Sequence, residues 1–392
     1  MAGPTFEHQR TRRTARDVTG RNWISADNPL KRFDPVLLLA ALLLTGYGLA
    51  MIYSATHHGL IANGGDPMAF VNRQVMALGV GLVGMAAVCM LDYRVYRVWA
   101  PVLYGGSLVV LLITAMTGET VNASRAWMVV GGFQFQPAEI AKPALILMLA
   151  ALFHERREEA LGFRALVEAV ALASAPILLI LLQPDLGTAI VFVAITCGVL
   201  LMARVRIRYM AALVLIGITA MLGAYQLEIL QDYQLARLTT FLGATEDLQG
   251  TGYNVNQAQI AVGSGGFTGQ GFAEGSQTTL GYVPENHTDF IFTVIGEELG
   301  FVGGVLLLAI YGLLLWRAVT ITATARDTLG ILIGAGVTAV FTFQLFINVG
   351  MSIGIMPVTG LPLPFVSYGG TSLMGSFLMI GLLQNVYMRR HS

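Results

Sequence analysis

The chain has 392 residues, of which 55% are hydrophobic and only 12% charged. Soluble globular proteins carry roughly 25% charged residues, so this composition, with its long apolar runs, excludes an ordinary soluble domain and places the chain in a bilayer. Its 23 basic and 23 acidic residues balance, giving no electrostatic footprint for nucleic acid, and its two cysteines, Cys89 and Cys197, sit in apolar runs outside any CxxC or Cys/His cluster.

Residues 1–33 form a polar, Arg-rich segment, expected to be a disordered cytoplasmic tail. It is too long to serve as the polar start of a cleaved signal peptide. A helix needs about 20 apolar residues to cross the hydrocarbon core. Spans are expected near 35–55, 73–91, 98–117, 138–154, 165–183, 187–204, 208–227, 289–316, 328–350 and 366–388. The fold class is therefore an all-α integral membrane protein of about ten transmembrane helices, with residues 34–390 as one membrane domain. Residues 228–288, rich in Gly, Gln, Thr and Asn, would form a large extracytoplasmic loop between the seventh and eighth helices.

Orientation follows from the connections. The tail carries Arg10, Arg12, Arg13, Arg16, Arg21, Lys31 and Arg32. Alternate connections then carry Arg94 and Arg97, Arg156, Arg157 and Arg164, Arg204, Arg206 and Arg208, Arg317 and Arg326, and finally Arg389 and Arg390. The opposite connections hold only Arg73, Arg125 and Arg237. Both termini are accordingly expected in the cytoplasm of a multi-pass inner-membrane protein.

Ionisable residues at or inside spans are functional candidates, because burying them is costly unless they are paired or hydrated. Glu139 and Lys142 lie three residues apart at the start of the fourth span, on one helical face. They can be a structural ion pair, or Lys142 can attract a phosphate that Glu139 orients. Asp185, in Gln183-Pro184-Asp185-Leu186-Gly187, can cap the sixth span or serve an external site. Asp289 stands where the polar loop meets the apolar wall of the eighth span, a boundary that suits a general base. Glu297 and Glu298, two turns deeper, favour pairing with a polar partner.

The stretch from Ala261 through Gly271, then Pro284-Glu285-Asn286-His287-Thr288-Asp289-Phe290-Ile291-Phe292 and Gly296-Glu297-Glu298-Leu299-Gly300, resembles the signature loop and helix of the SEDS family, whose members include RodA and FtsW. Met356 to Gly370, reading Met-Pro-Val-Thr-Gly-Leu-Pro-Leu-Pro-Phe-Val-Ser-Tyr-Gly-Gly, is similar to the family's second hallmark. Gln136-Pro137-Ala138-Glu139, the Asp185 segment and Tyr53-Ser54-Ala55 add to the likeness, which spans roughly residues 33–390. The Pro357-Val358-Thr359-Gly360 form resembles the RodA branch. Departures are modest: Arg125-Ala126-Trp127 replaces the usual Arg-Trp context, Ala138 stands for Ser, and Asn254 follows Tyr253 where relatives carry Gln.

The resemblance implies a peptidoglycan glycosyltransferase that polymerises lipid II at the outer face of the cytoplasmic membrane, in cell elongation and shape maintenance. It implies a class B penicillin-binding protein as transpeptidase partner, and Asp289 as the catalytic carboxylate. Lys142, Arg125 and Arg237 are then the candidate cations for the departing pyrophosphate, with Glu139, Asp185 and Glu298 in support. No dedicated metal cage is visible, so a divalent ion, Mg²⁺ or Mn²⁺, would be shared with that pyrophosphate. A lipid II flippase, a non-catalytic scaffold and an FtsW-like division role are the rival readings.

Overall fold

The computed structural model describes residues 32–121, 124–130, 133–154, 162–226 and 251–391. Most of the basic tail, Arg156, Arg157, Arg237 and the first part of the long loop lie outside these residues.

A helix occupies each of the ten expected segments: α1 (Pro35–Ala62), α2 (Ala69–Met90), α3 (Tyr93–Thr117), α4 (Pro137–His154), α5 (Phe163–Leu181), α6 (Leu186–Met202), α7 (Ile207–Gln226), then α10 (Ile291–Glu298) with α11 (Gly300–Ala323), α12 (Thr328–Ser352) and α13 (Gly370–Met388). Seven of them are long and apolar enough to cross a membrane, and α6 is a shorter apolar helix. Several starts are fixed by aspartates that accept amide hydrogen bonds the helix itself cannot satisfy. Asp34 caps α1, Asp92 α3, Asp185 α6 and Asp327 α12.

The helices differ sharply in what surrounds them. Helices α2 and α3 show most of their surface to the outside, whereas α4 is largely enclosed and all eight residues of α10 are buried. The core therefore runs through α4, α6, α12 and α13, and some of the polar groups it holds tie separate segments together. At its cytoplasmic-side end in the expected orientation, Asp34 is buried against Arg317 and Gln384, whose amide donates to the Asp34 carbonyl at 2.7 Å.

Three features depart from the expected layout. First, the connection between α3 and α4 is a three-stranded antiparallel sheet, β1 (Glu119–Val121), β2 (Ser124–Val130) and β3 (Phe133–Phe135), with Glu119 opposite Trp127 and Met128 opposite Phe135. Arg125 N–H and Ser124 Oγ both donate to the Gln183 carbonyl, at 3.2 and 2.8 Å, fastening the sheet to the end of α5. Second, the long loop is partly helical, with α8 (Thr251–Ser264) and α9 (Ser276–Thr279).

Third, the eighth span is not one helix. It breaks at Leu299–Gly300, where Gly300 takes φ +63° and a Cβ would stand 2.8 Å from the Phe267 carbonyl oxygen. Only glycine adopts that backbone without penalty. The amides freed by the break are used by the loop: Phe301 N–H donates to Gly266 O at 3.0 Å and Val302 N–H to Phe267 O at 3.2 Å.

Candidate active site

A cavity of about 1160 Å³ opens between α2, the sheet, the α5–α6 turn and the loops that lead into α10 and α13. Its polar end is lined by Asp289, Asp185, His287, Glu285 and Arg73. Its other end runs along α2, past Val80 and Val83, which are 58% and 71% exposed on the outer surface of the bundle. One cavity thus joins a charged recess to a lipid-facing helix.

Asp289 is half-buried, and its carboxylate sits beside Gly360, where a Cβ would lie 3.3 Å from Oδ2. Its backbone is fixed from two sides. Its N–H donates to Glu285 O at 3.1 Å, and its carbonyl accepts from Asn348 Nδ2 at 2.7 Å. The same nitrogen donates to Leu361 O at 2.8 Å, so α12 pins together the loop carrying Asp289 and the loop rich in prolines. A further tie joins these loops at Tyr368, whose N–H donates to the His287 carbonyl at 2.9 Å. Burial holds the His287 imidazole below its ordinary pKa, against a weaker opposing pull from Glu285.

Asp185 caps α6 and also lines the cavity. Oδ1 accepts from Thr188 N–H at 3.0 Å and Oδ2 from Thr188 Oγ at 2.8 Å, a helix cap, while Gln136 Nε2 donates to Oδ2 at 3.1 Å and the side chain lines the cavity.

The remaining candidates stand elsewhere. Lys142 is 0% exposed and donates to Glu139 Oε1 at 2.7 Å, a buried pair one turn beneath Gln136 that contributes no surface to the cavity. Arg125 lies exposed on β2, away from the cavity lining. Arg237 lies outside the described residues. Glu298 is buried and occupied: its carboxylate accepts from Ser54 Oγ at 2.5 Å and from Ala273 N–H at 3.1 Å. Glu297 accepts from Gln277 N–H at 2.6 Å and from Thr278 N–H and Oγ at 3.0 and 2.7 Å. These two acids hold the glycine-rich loop; they do not face the cavity.

Among the described residues, the cation that does line it is Arg73, the one Lys or Arg in the lining. Its signal in the sequence was position alone: a basic residue on the sparsely charged outer side, at the start of an apolar run.

A family model described as a cell cycle protein, covering FtsW, RodA and SpoVE, matches residues 35–392. The chain belongs to the FtsW/RodA/SpoVE family. Among relatives, stage V sporulation protein E of Bacillus subtilis is 37% identical over 356 residues, 90% of this chain and 96% of that protein. Peptidoglycan glycosyltransferase MrdB of Escherichia coli K12 is 36% identical over 376 residues, 93% and 98% of the two chains. Among solved structures, a chain from a study of how a peptidoglycan synthase complex coordinates polymerization and crosslinking superposes with a TM-score of 0.76 at 31% identity, covering 92% of this chain and 99% of that one. The family assigned from the sequence motifs is therefore the right one, and near-equal identity to SpoVE and MrdB leaves the branch within the FtsW/RodA/SpoVE family to be argued from the chain itself.

Among the described residues, no group of three or more His, Cys, Asp or Glu side chains is placed to hold a metal ion.

Proposed function

We infer that this chain is a peptidoglycan glycosyltransferase that polymerises lipid II at the outer face of the cytoplasmic membrane, with both termini in the cytoplasm. The observation that carries the reading is one cavity in which a half-buried aspartate, an arginine and a lipid-facing helix surface meet. Glycan polymerisation needs that combination. The sugars react in water, the prenyl chain stays in lipid, and the leaving group is an anion.

In this reaction the 4-hydroxyl of a GlcNAc on the acceptor attacks C1 of MurNAc on the donor. The C1–O bond to undecaprenyl pyrophosphate breaks with inversion, through an oxocarbenium-like state. Asp289 takes the hydroxyl proton; a positioned base contributes roughly 10²–10⁴-fold. Arg73 faces the pyrophosphate as charge develops on it, a role that Lys142 and Arg125 are poorly placed to fill. A divalent ion, Mg²⁺ or Mn²⁺, would arrive with the pyrophosphate, and no step here is routed through it. Asp185 supports the site by orienting Gln136 and the start of α6.

The matched chain from a synthase complex that couples polymerization to crosslinking supports a class B penicillin-binding protein as partner. The Pro357-Val358-Thr359-Gly360 form supports a RodA-like role in elongation and cell shape over division. The test is polymer formation from labelled lipid II by purified protein in detergent, with and without the cognate transpeptidase. Asp289→Asn should remain folded and form no polymer. Wild-type-like polymer from that variant would remove Asp289 as the base. A wild-type protein that moves lipid II across liposome membranes but makes no glycan in detergent would be a flippase.

A further inference from the structure

Three rings from three separate segments meet at the polar end of the cavity: Phe70 near the start of α2, His287 two residues before Asp289, and Tyr368 in the loop before α13. Phe70 lies edge-on to both of the others, with ring centroids 5.1 Å from His287 and 4.9 Å from Tyr368, and His287 and Tyr368 are 5.7 Å apart. All three are half-buried and all three line the cavity. Rings clustered only to glue segments together would be expected to bury themselves, as Phe341, Phe365 and Phe377 do in the core.

We propose that Phe70, His287 and Tyr368 form the sugar platform of the site, the surface on which a pyranose ring of the substrate rests while its hydroxyl reaches Asp289. A pyranose presents a face of C–H bonds that packs on aromatic rings, while its rim of hydroxyls seeks polar partners. The cavity supplies both: aromatic rings here, and Asp289 and Glu285 among its other lining residues. The platform is also held at a fixed height. Tyr368 N–H donates to His287 O, and Gln74, one turn along α2 from Phe70, accepts from Gly369 N–H at 3.1 Å and donates to Ser367 O at 3.1 Å. Burial pushes the His287 pKa down, which favours the uncharged ring. The inference rests on the glycosyltransferase reading and names the part of the site that recognises carbohydrate.

The test separates sugar from lipid. Binding of a short-chain lipid II and of farnesyl pyrophosphate, a short prenyl pyrophosphate with no sugar, is measured on purified wild type, Tyr368→Leu, Tyr368→Phe and Phe70→Leu. Tyr368→Leu should weaken short-chain lipid II binding by about tenfold, the scale of one lost aromatic contact, and leave farnesyl pyrophosphate binding unchanged. Tyr368→Phe should bind as wild type does. Phe70→Leu provides the same comparison if Tyr368→Leu does not fold. Unchanged lipid II binding in the leucine variants, or equal loss of both ligands, would overturn the platform. A polymerisation assay on the same wild-type preparation keeps the two readings apart. Polymer together with ring-independent binding removes the platform alone; ring-dependent sugar binding without polymer supports the platform and removes the enzyme.

Discussion

Asn348 Nδ2 donates to the Asp289 carbonyl at 2.7 Å and to the Leu361 carbonyl at 2.8 Å, from a side chain that is wholly buried in α12. One amide group therefore sets the spacing between two loops distant in sequence. Leaving a buried carbonyl without its donor costs about 1–3 kcal/mol. Asn348→Leu should lower the melting temperature in detergent and, because Asp289 then loses this anchor, reduce kcat more than it raises KM. Ser352→Ala, which removes a hydroxyl that donates to the Asn348 carbonyl at 2.9 Å without touching either loop, is the control and should leave kcat near wild type.

Arg73 and Lys142 should fail in different ways. Arg73→Gln should fold normally and lose donor turnover, with the gap from wild type narrowing as salt is raised, because screening weakens the wild-type contact that the variant already lacks. Lys142→Met strands the Glu139 carboxylate in the core, and breaking a buried pair costs about 3–5 kcal/mol. The expected result is a protein that melts early or fails to accumulate in membranes, with folding largely restored by adding Glu139→Gln. A well-folded Lys142→Met protein deficient only in turnover would return the lysine to the substrate.

The protonation of His287 links stability to pH. Its folded pKa is depressed by burial, so between that value and the ordinary one of about 6.5 the unfolded chain binds a proton that the folded chain does not. Stability is then complete above about pH 6.5 and declines as the medium is acidified below it. The wild type should lose more melting temperature between pH 7.5 and pH 5.5 than His287→Gln does, measured in the same detergent.

Glu297 is expected to matter for loop order, not chemistry. Its carboxylate takes the free amides at the start of α9, where the short helix has no cap of its own. Glu297→Ala should speed proteolysis between Gly265 and Gly281 several-fold, while the membrane helices remain protected.

The all-α membrane fold, the helix positions and the family were legible from apolar length and motif spacing. Asp289 and Asp185 were legible too, since a carboxylate at the mouth of a span stands out against its neighbours, and both line the cavity. The role of Lys142 stayed open in the sequence because a charge in a span has the same signature whether it faces a ligand or a partner three residues away; the structure pairs it with Glu139. Arg73 was passed over for the opposite reason: beside polar Asn72 and Gln74 it looks like part of an ordinary connection. The sheet from Glu119 to Phe135 was invisible because two of its strands are three residues long, too short to show alternation. The break at Gly300 depends on a loop more than 30 residues earlier receiving its amides, a relationship that local pattern does not encode.

The exposed valines of α2 bear on how substrate is supplied. A molecule that reaches Asp289 by gliding past Val80 and Val83 never has to withdraw its tail from the bilayer. Encounter then becomes a search across a plane, and turnover should track how crowded the leaflet is with substrate, whatever the volume of fluid around the cell.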